Sequence, residues 1–218
     1  MLLLVDLDNT LVDRASAFNL WATTFVRSLG GSDLDDEWLI AADRDGYEPR
    51  ESLARAIKDR FDTGLGIEDL AHALLLEHVD LLTIDPGTIS ALRRARSSGW
   101  KIGVVTNGST AQQTLKIQVA GLEPYVDAVV ISEAEQVKKP DPGIFAIAAK
   151  RLLADPADGW MVGDHPTADI AGGRAAGLRT GWVSRGKEWP SGMAAPDLSA
   201  PTAAEVINAV VRSDAQSR

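Results

Sequence analysis

Five short, largely apolar runs limit most strongly what this chain can become: Leu2–Val5, Ile102–Val105, Ala128–Ile131, Trp160–Val162 and Thr180–Val183. Runs of this length without polar alternation suit strands covered on both faces, as in a parallel sheet with helices on either side. The segments between them have helical spacing and recognisable stops: Thr88–Ser98 before Gly99, Thr110–Ala120 before Gly121, Pro142–Leu153, and Thr167–Ala176 before Gly177. Strand and helix alternate, which predicts right-handed crossovers and an α/β fold with a doubly wound parallel sheet.

The segment from Ala15 to Leu82 breaks the alternation. It holds no β-like run, and its apolar residues recur at helical spacing over Ala15–Leu29, Leu34–Asp43, Arg50–Phe61 and Ile67–Leu82, punctuated by Gly30-Gly31, Gly46 and Gly64. It reads as an all-helical insertion, residues 15–82, in a core of residues 1–14 and 83–218. Pro86-Gly87 marks the return to the α/β pattern. A chain of 218 residues is long enough for such a domain and its insertion. Pro190–Pro201 reads as a loop and Ser213–Arg218 as a frayed tail.

The formal charge of −9 and the lack of any Lys/Arg run argue against a nucleic-acid binder, which must neutralise successive phosphates. The absence of cysteine removes disulfides, thiolate chemistry and Cys-ligated metals, and fits a reducing compartment. The apolar start Leu2–Val5 has no basic segment before it and is cut off by Asp6, so it reads as neither a signal peptide nor a membrane span. A cytoplasmic protein without a membrane partner is expected.

In open parallel sheets ligands gather at the carboxyl ends of the strands, by the topological switch point. Four of the runs are followed there by useful groups: Asp6, Asp8 and Thr10; Thr106-Asn107-Gly108; Ser132 and then Lys139; Gly163-Asp164 and then Asp169. Singly, such residues end strands, form turns and cap helices. Their order is harder to obtain from capping alone, because it supplies two acidic pairs, a hydroxyl and a lysine, each after a strand.

In these residues the chain resembles the haloacid dehalogenase superfamily, in its phosphatase branch with an α-helical cap, such as the phosphoglycolate phosphatase-like enzymes. The signature Asp-x-Asp-x-Thr is met by Asp6-Leu7-Asp8-Asn9-Thr10, the strand-two motif by Thr106-Asn107-Gly108, and the lysine motif by Lys139-Pro140-Asp141-Pro142-Gly143-Ile144-Phe145. The acidic motif is met by Val162-Gly163-Asp164-His165-Pro166-Thr167-Ala168-Asp169-Ile170. The resemblance implies a Mg²⁺-dependent hydrolase of a small phosphorylated metabolite that works through an aspartyl-phosphate. Asp6 would be nucleophile and metal ligand, Asp8 general acid/base and donor of a backbone carbonyl to the metal, and Asp164 a further ligand. Asp169 would act in support or through water. Thr106, backbone amides near Asn107, and Lys139 would hold the phosphoryl group. The chemistry agrees, since phosphate monoesters need rate enhancements of up to ~10²¹ and clustered carboxylates need a hard cation before an anion can approach.

Either Lys138 or Lys139 could serve; the resemblance favours Lys139, which directly precedes proline. His165 either reaches the substrate or is merely solvated. His72 and His78 lack the four-residue spacing that puts two imidazoles on one helical face. Trp21 and Trp38 read as core of the insertion, and Arg44, Tyr47 and Arg50 fall where the family places a specificity loop. No nucleotide-cradling Gly-rich pattern exists. A dehalogenase would use Asp6 on carbon but has no need of Asp8, a sugar phosphomutase would share the motifs, and a silent phosphate-binding module would be expected to have lost one role. Oligomeric state is not legible.

Overall fold

The computed structural model describes residues 1–216, which fall into two compact units: Asp13–Thr83, and Met1–Val12 together with the chain from Ile84 onward. The strands are β1 (Leu2–Val5), β2 (Lys101–Thr106), β3 (Ala128–Ile131), β4 (Gly159–Gly163), β5 (Arg179–Val183) and β6 (Leu198–Ala200). They form one sheet in the order β3-β2-β1-β4-β5-β6 with every neighbouring pair parallel, the doubly wound arrangement expected. The helices, in chain order, are α1 (Arg14–Ser28), α2 (Asp33–Asp43), α3 (Arg50–Arg60), α4 (Ile67–Leu76), α5 (Pro86–Ser97), α6 (Thr110–Val119), α7 (Ser132–Glu135), α8 (Pro142–Arg151), α9 (Gly172–Ala175) and α10 (Ala203–Gln216).

Register decides where the site lies. Val5 pairs with Val104 on one side and with Val162 on the other, so the chains leaving β1, β2 and β4 emerge along one edge. The crossovers run outward from β1 in both directions, which puts the switch point between β1 and β4. One face of the sheet, with Leu2, Leu4, Val105, Val130 and Met161, is sealed by Ile144, Phe145 and Ala148 of α8. Full burial of a side chain of this size stabilises by about 1.5–3 kcal/mol. Close approach of α10 to β5 requires a glycine, since a Cβ on Gly181 would fall 2.5 Å from a methyl of Val206.

The smaller unit is helical, with a core of Phe18, Trp21 and Val26 from α1, Leu39 from α2, Leu53 and Ile57 from α3, and Leu70 and Leu74 from α4. Its ends are tied together by the Asp13 N–H donating to the Thr83 carbonyl at 3.0 Å. Trp21 is core and donates to Glu77 at 2.7 Å; Trp38 packs against the same core with the Arg60 guanidinium 4.8 Å above its ring. After α2 the backbone turns through Arg44 (φ 52°), Asp45 (φ 58°) and Gly46 (φ 91°), and buried Asp43 fastens this turn by accepting from Arg14, Arg50 and the Gly46 N–H.

The structure departs from the sequence reading in five places. The loop expected over Pro190–Pro201 contains β6, a half-exposed edge strand of three residues, too short for a periodic signal. The tail expected from Ser213 continues α10 through Gln216, while Ser217 and Arg218 lie outside the described residues. Helix α10 itself went unread, although Ala203, Val206, Ile207 and Val210 have helical spacing and are buried, and Thr202 and Glu205 cap its start reciprocally. The helix expected over Ile67–Leu82 stops at Leu76 and is followed by a 3₁₀ turn at Val79–Leu81. The one expected over Thr167–Ala176 opens as a π-helix at Pro166–Ala171, with the His165 carbonyl accepting from both Asp169 (3.0 Å) and Ile170 (3.3 Å).

Candidate active site

The edge of the sheet at the ends of β1 to β4 brings the sequence-expected residues together. Asp6 follows β1, and its N–H donates to the Val162 carbonyl at 2.9 Å, an extension of the β1/β4 ladder that fixes its backbone. The side chain is buried (7% exposed) and accepts from the Lys139 Nζ through Oδ1 at 2.5 Å. Lys139 is buried as well (4% exposed) and donates to Asp169 Oδ1 at 2.7 Å. Its neighbour Lys138 is exposed, which separates the two candidates left by the sequence.

Carboxylate oxygens of Asp6, Asp164 and Asp169 lie within 4.8 Å of one another. Asp169, fully buried, has both oxygens committed: Oδ1 to Lys139, and Oδ2 to the His165 N–H at 2.9 Å. Asp164 is half-buried, with the Arg185 guanidinium 3.6 Å from its Oδ2 and its carbonyl accepting from the Trp182 indole at 2.8 Å. Burial pushes the Asp6 carboxyl well above the ordinary range; Lys139 opposes that push, and the carboxylates of Asp169 and Asp164 add to it. Burial alone would lower the Lys139 pKa, but Asp169 and Asp6 outweigh it and raise it above the usual lysine value.

Thr106 ends β2 and is buried (1% exposed). The Asn107 side chain is hydrogen-bonded to the backbone of Lys139. Its Oδ1 accepts from the Lys139 N–H at 2.9 Å and its Nδ2 donates to the Lys139 carbonyl at 3.0 Å, so it clamps the backbone that carries the lysine. His165 is a cap: its Nδ1 accepts from the N–H groups of Thr167 and Ala168 at 3.1 and 3.0 Å, which leaves the ring proton on Nε2.

Asp8 stands apart from the three clustered carboxylates. Lys116 Nζ donates to both of its oxygens, at 2.8 and 2.7 Å, and Gln113 Nε2 donates to Oδ2 at 3.0 Å and to Thr106 Oγ1 at 2.6 Å. Gln113 and Lys116 lie three residues apart on one face of α6, and both are buried. The sequence reading missed them. The available signal was their helical spacing after the strand-two motif, on a segment otherwise read only as a crossover.

This arrangement can be set beside known proteins. The sequence matches the profile of the haloacid dehalogenase-like hydrolases over residues 1–177. The chain belongs to that family.

Among curated relatives, glyceraldehyde 3-phosphate phosphatase of Pyrococcus abyssi is 37% identical over 102 residues, which is 47% of this chain and 43% of the relative. At this level of identity the chain spans about half the length of the curated relatives it matches. A HAD phosphatase from Thermococcus onnurineus is 27% identical, with a TM-score of 0.66 over 95% of this chain and 96% of that one. The 2-haloacid dehalogenase of Pseudomonas syringae pv. Tomato is nearly as similar, at 26% identity and a TM-score of 0.65 over 97% and 98% of the two chains.

In this haloacid dehalogenase-like hydrolase the donor set suits a hard divalent cation. It consists of carboxylate oxygens within one ion's reach, with no sulfur or imidazole among them, and Asp6 is held by burial in a state that added positive charge would relieve. Neither His72 nor His78 joins a group of metal-competent side chains among the described residues. No helix among them is long and apolar enough to cross a membrane.

Proposed function

We propose that the protein is a Mg²⁺-dependent phosphatase that hydrolyses a small phosphate monoester through a phosphoryl group carried on Asp6. The observation that carries this reading is the pairing of a buried Asp6, bonded to Lys139 at 2.5 Å, with a second carboxylate two residues on that lies outside the metal-competent cluster. A halide leaves without a proton, whereas an alkoxide needs one, so Asp8 favours phosphorus over carbon as the centre attacked.

In the first step a carboxylate oxygen of Asp6 bonds to phosphorus, and the bond from phosphorus to the leaving oxygen breaks. That oxygen keeps the electron pair and takes the proton of the Asp8 carboxyl. In the second step a water oxygen bonds to phosphorus and gives a proton to the Asp8 carboxylate. The bond from phosphorus to the Asp6 oxygen then breaks, releasing inorganic phosphate and restoring the carboxylate. Lys139 and the Thr106 hydroxyl hold phosphoryl oxygens, with the Asn107 N–H beside them, in a site where water is scarce and such contacts are strong. Asp6, Asp164 and the Asp8 carbonyl would hold Mg²⁺, which when bound supplies charge neutralisation for the anionic substrate. Asp169 holds Lys139.

The charge of −9 and lack of a basic run support a small-molecule substrate over a nucleic acid, and the cysteine-free composition supports the cytoplasm. The test is turnover of p-nitrophenyl phosphate and a panel of phosphorylated metabolites in Mg²⁺ by wild type and Asp6→Asn. Wild-type release of inorganic phosphate, abolished in a folded Asp6→Asn, is expected. Near wild-type activity in that variant would sink the covalent route, and halide release from 2-haloacids without phosphate release would favour the dehalogenase.

A further inference from the structure

Gln113 and Lys116 are buried polar side chains that none of the steps above uses. Burying an ammonium and an amide is costly unless each is matched, and the structure matches them chiefly to two residues of the proposed reaction. Lys116 chelates the Asp8 carboxylate through both oxygens, and Gln113 spans from Asp8 to the Thr106 hydroxyl. We propose that Gln113 and Lys116 are positioning residues: Gln113 sets the direction of the Thr106 hydroxyl, and the pair anchors the Asp8 carboxylate.

The Gln113 orientation follows from its partners. In its carboxylate form, the form that takes the proton of water in the second step, Asp8 only accepts, so the amide turns Nε2 toward it, and the same nitrogen then donates to Thr106 Oγ1. A hydroxyl that accepts from Gln113 keeps its own proton for another acceptor. Thr106 thereby becomes a donor, which is what a phosphoryl oxygen requires. The amide has little room to move, because Gly108 passes so close that a Cβ there would lie 2.9 Å from Gln113 Cγ and Cδ. Gln113 Oε1 is buried without a hydrogen-bond partner, so the amide accepts an unsatisfied acceptor in order to present Nε2. A residue present only for packing would be better served by leucine.

Lys116 acts on Asp8 by geometry. A two-oxygen ion pair fixes the plane of the carboxylate, and a misplacement of about 1 Å at a reacting group can cost on the order of 10²-fold in rate. Lys116 lies one helical turn beyond Gln113, so a single rigid face of α6 sets both the phosphoryl donor and the acid/base group.

The inference rests on the phosphatase reading, and the experiment separates the two. Wild type, Gln113→Leu, Lys116→Met and Lys116→Arg are compared by kcat and KM for p-nitrophenyl and phenyl phosphate, by calorimetric binding of inorganic phosphate in Mg²⁺, and by thermal melts. Gln113→Leu is expected to weaken phosphate binding about fivefold or more, the loss of an oriented donor. Lys116→Met is expected to lower kcat at least about tenfold while phosphate binding changes less than about twofold, and Lys116→Arg to regain most of kcat. Wild-type kcat and phosphate binding in folded Gln113→Leu and Lys116→Met would overturn the inference. So would losses that follow the folded fraction alone, with kcat and binding falling together. Should Lys116→Met fail to fold, Lys116→Arg and Gln113→Leu decide by the same split. If wild type hydrolyses no phosphate ester while Gln113→Leu still weakens phosphate binding, the phosphatase reading fails and the orientation of Thr106 stands.

Discussion

The Asp169 carboxyl group occupies the space where a side chain on Gly163 would begin: a Cβ there would fall 2.3 Å from the carboxyl carbon. Gly163 ends β4, and Asp169 lies in the π-helical turn that follows it. The missing Cβ thus admits the carboxylate that holds Lys139 at 2.7 Å. Gly163→Ala is expected to displace Asp169, and Lys139 with it, because neither β4 backbone nor buried carboxylate can give way. Overpacking of this kind costs typically about 1–3 kcal/mol. Thermal denaturation should show a lowered Tm, and steady-state assays a kcat loss well beyond what the folded fraction explains. A fully active Gly163→Ala would mean that Asp169 is not needed where it stands.

The difference between what could be read from the chain and what could not is visible in this same region. Asp6 and Asp164 were legible because each follows an apolar run, and the alternation of strand and helix implied a parallel sheet, whereas the placement of β1 beside β4 comes from the structure. Asp169 was legible as a carboxylate after the fourth run, and its role came from the family's spacing. The π-turn that aims it depends on two N–H groups sharing the His165 carbonyl, a tertiary choice with no local composition behind it. Gln113 and Lys116 were passed over for the opposite reason: their helical spacing was visible, but polar residues three apart on a helix normally mark the solvated face, and only the docking of α6 beside Asp8 buries them. Asn107 was legible as a site residue through the backbone amides near it, but the role of its side chain, both ends of which serve the Lys139 backbone, was not.

Lys139 and Lys138 differ in every property that matters to the reaction except sequence position. One is buried between two carboxylates and the other is exposed. Lys139→Ala should lower kcat on the order of 10²-fold or more, the cost of removing a preorganised charge from a dry site. Lys138→Ala should stay within a few-fold of wild type. Parallel kinetics with circular dichroism as the folding control make the comparison, and the reverse ranking would contradict the assignment.

The helical unit makes a separate prediction through Asp43. Burial favours its neutral form, yet hydrogen bonds and charge from Arg14 and Arg50 outweigh burial and hold its pKa below the ordinary value. A carboxylate whose folded pKa is depressed contributes stability that is complete above its unfolded pKa of about 3.9 and is lost as the pH falls through the folded value. Asp43→Asn leaves buried Arg14 with only the partly exposed Asp45, 3.9 Å away, as a counter-charge, and breaking a buried pair typically costs up to about 3–5 kcal/mol. The gap in Tm between wild type and Asp43→Asn should therefore be widest near neutral pH and narrow below about pH 4, as Asp43 takes up a proton first in the unfolded chain and then, at lower pH, in the folded one. Melts from neutrality down to about pH 2.5 test this, and a gap independent of pH would remove the ion pair as its cause.

Asp164 and Asp169 belong to the same acidic cluster but should fail differently when neutralised. Asp169 spends one oxygen on Lys139 and the other on the His165 N–H, so its charge is engaged by the protein. Asp164 is half-buried, and the Arg185 guanidinium stands 3.6 Å away, beyond hydrogen-bond length. Its carboxylate is the more exposed of the two, and so the one better placed to meet a cation arriving from solvent. Asp164→Asn is expected to raise the Mg²⁺ concentration for half-maximal activity about tenfold or more, and excess Mg²⁺ should restore part of kcat. Asp169→Asn should instead lower kcat at every Mg²⁺ concentration, because an amide holds the Lys139 ammonium less firmly than a carboxylate and could turn its NH₂ toward it. Mg²⁺ titrations of activity on both variants separate the cases. A shift in Mg²⁺ dependence confined to Asp169→Asn would reverse the two roles.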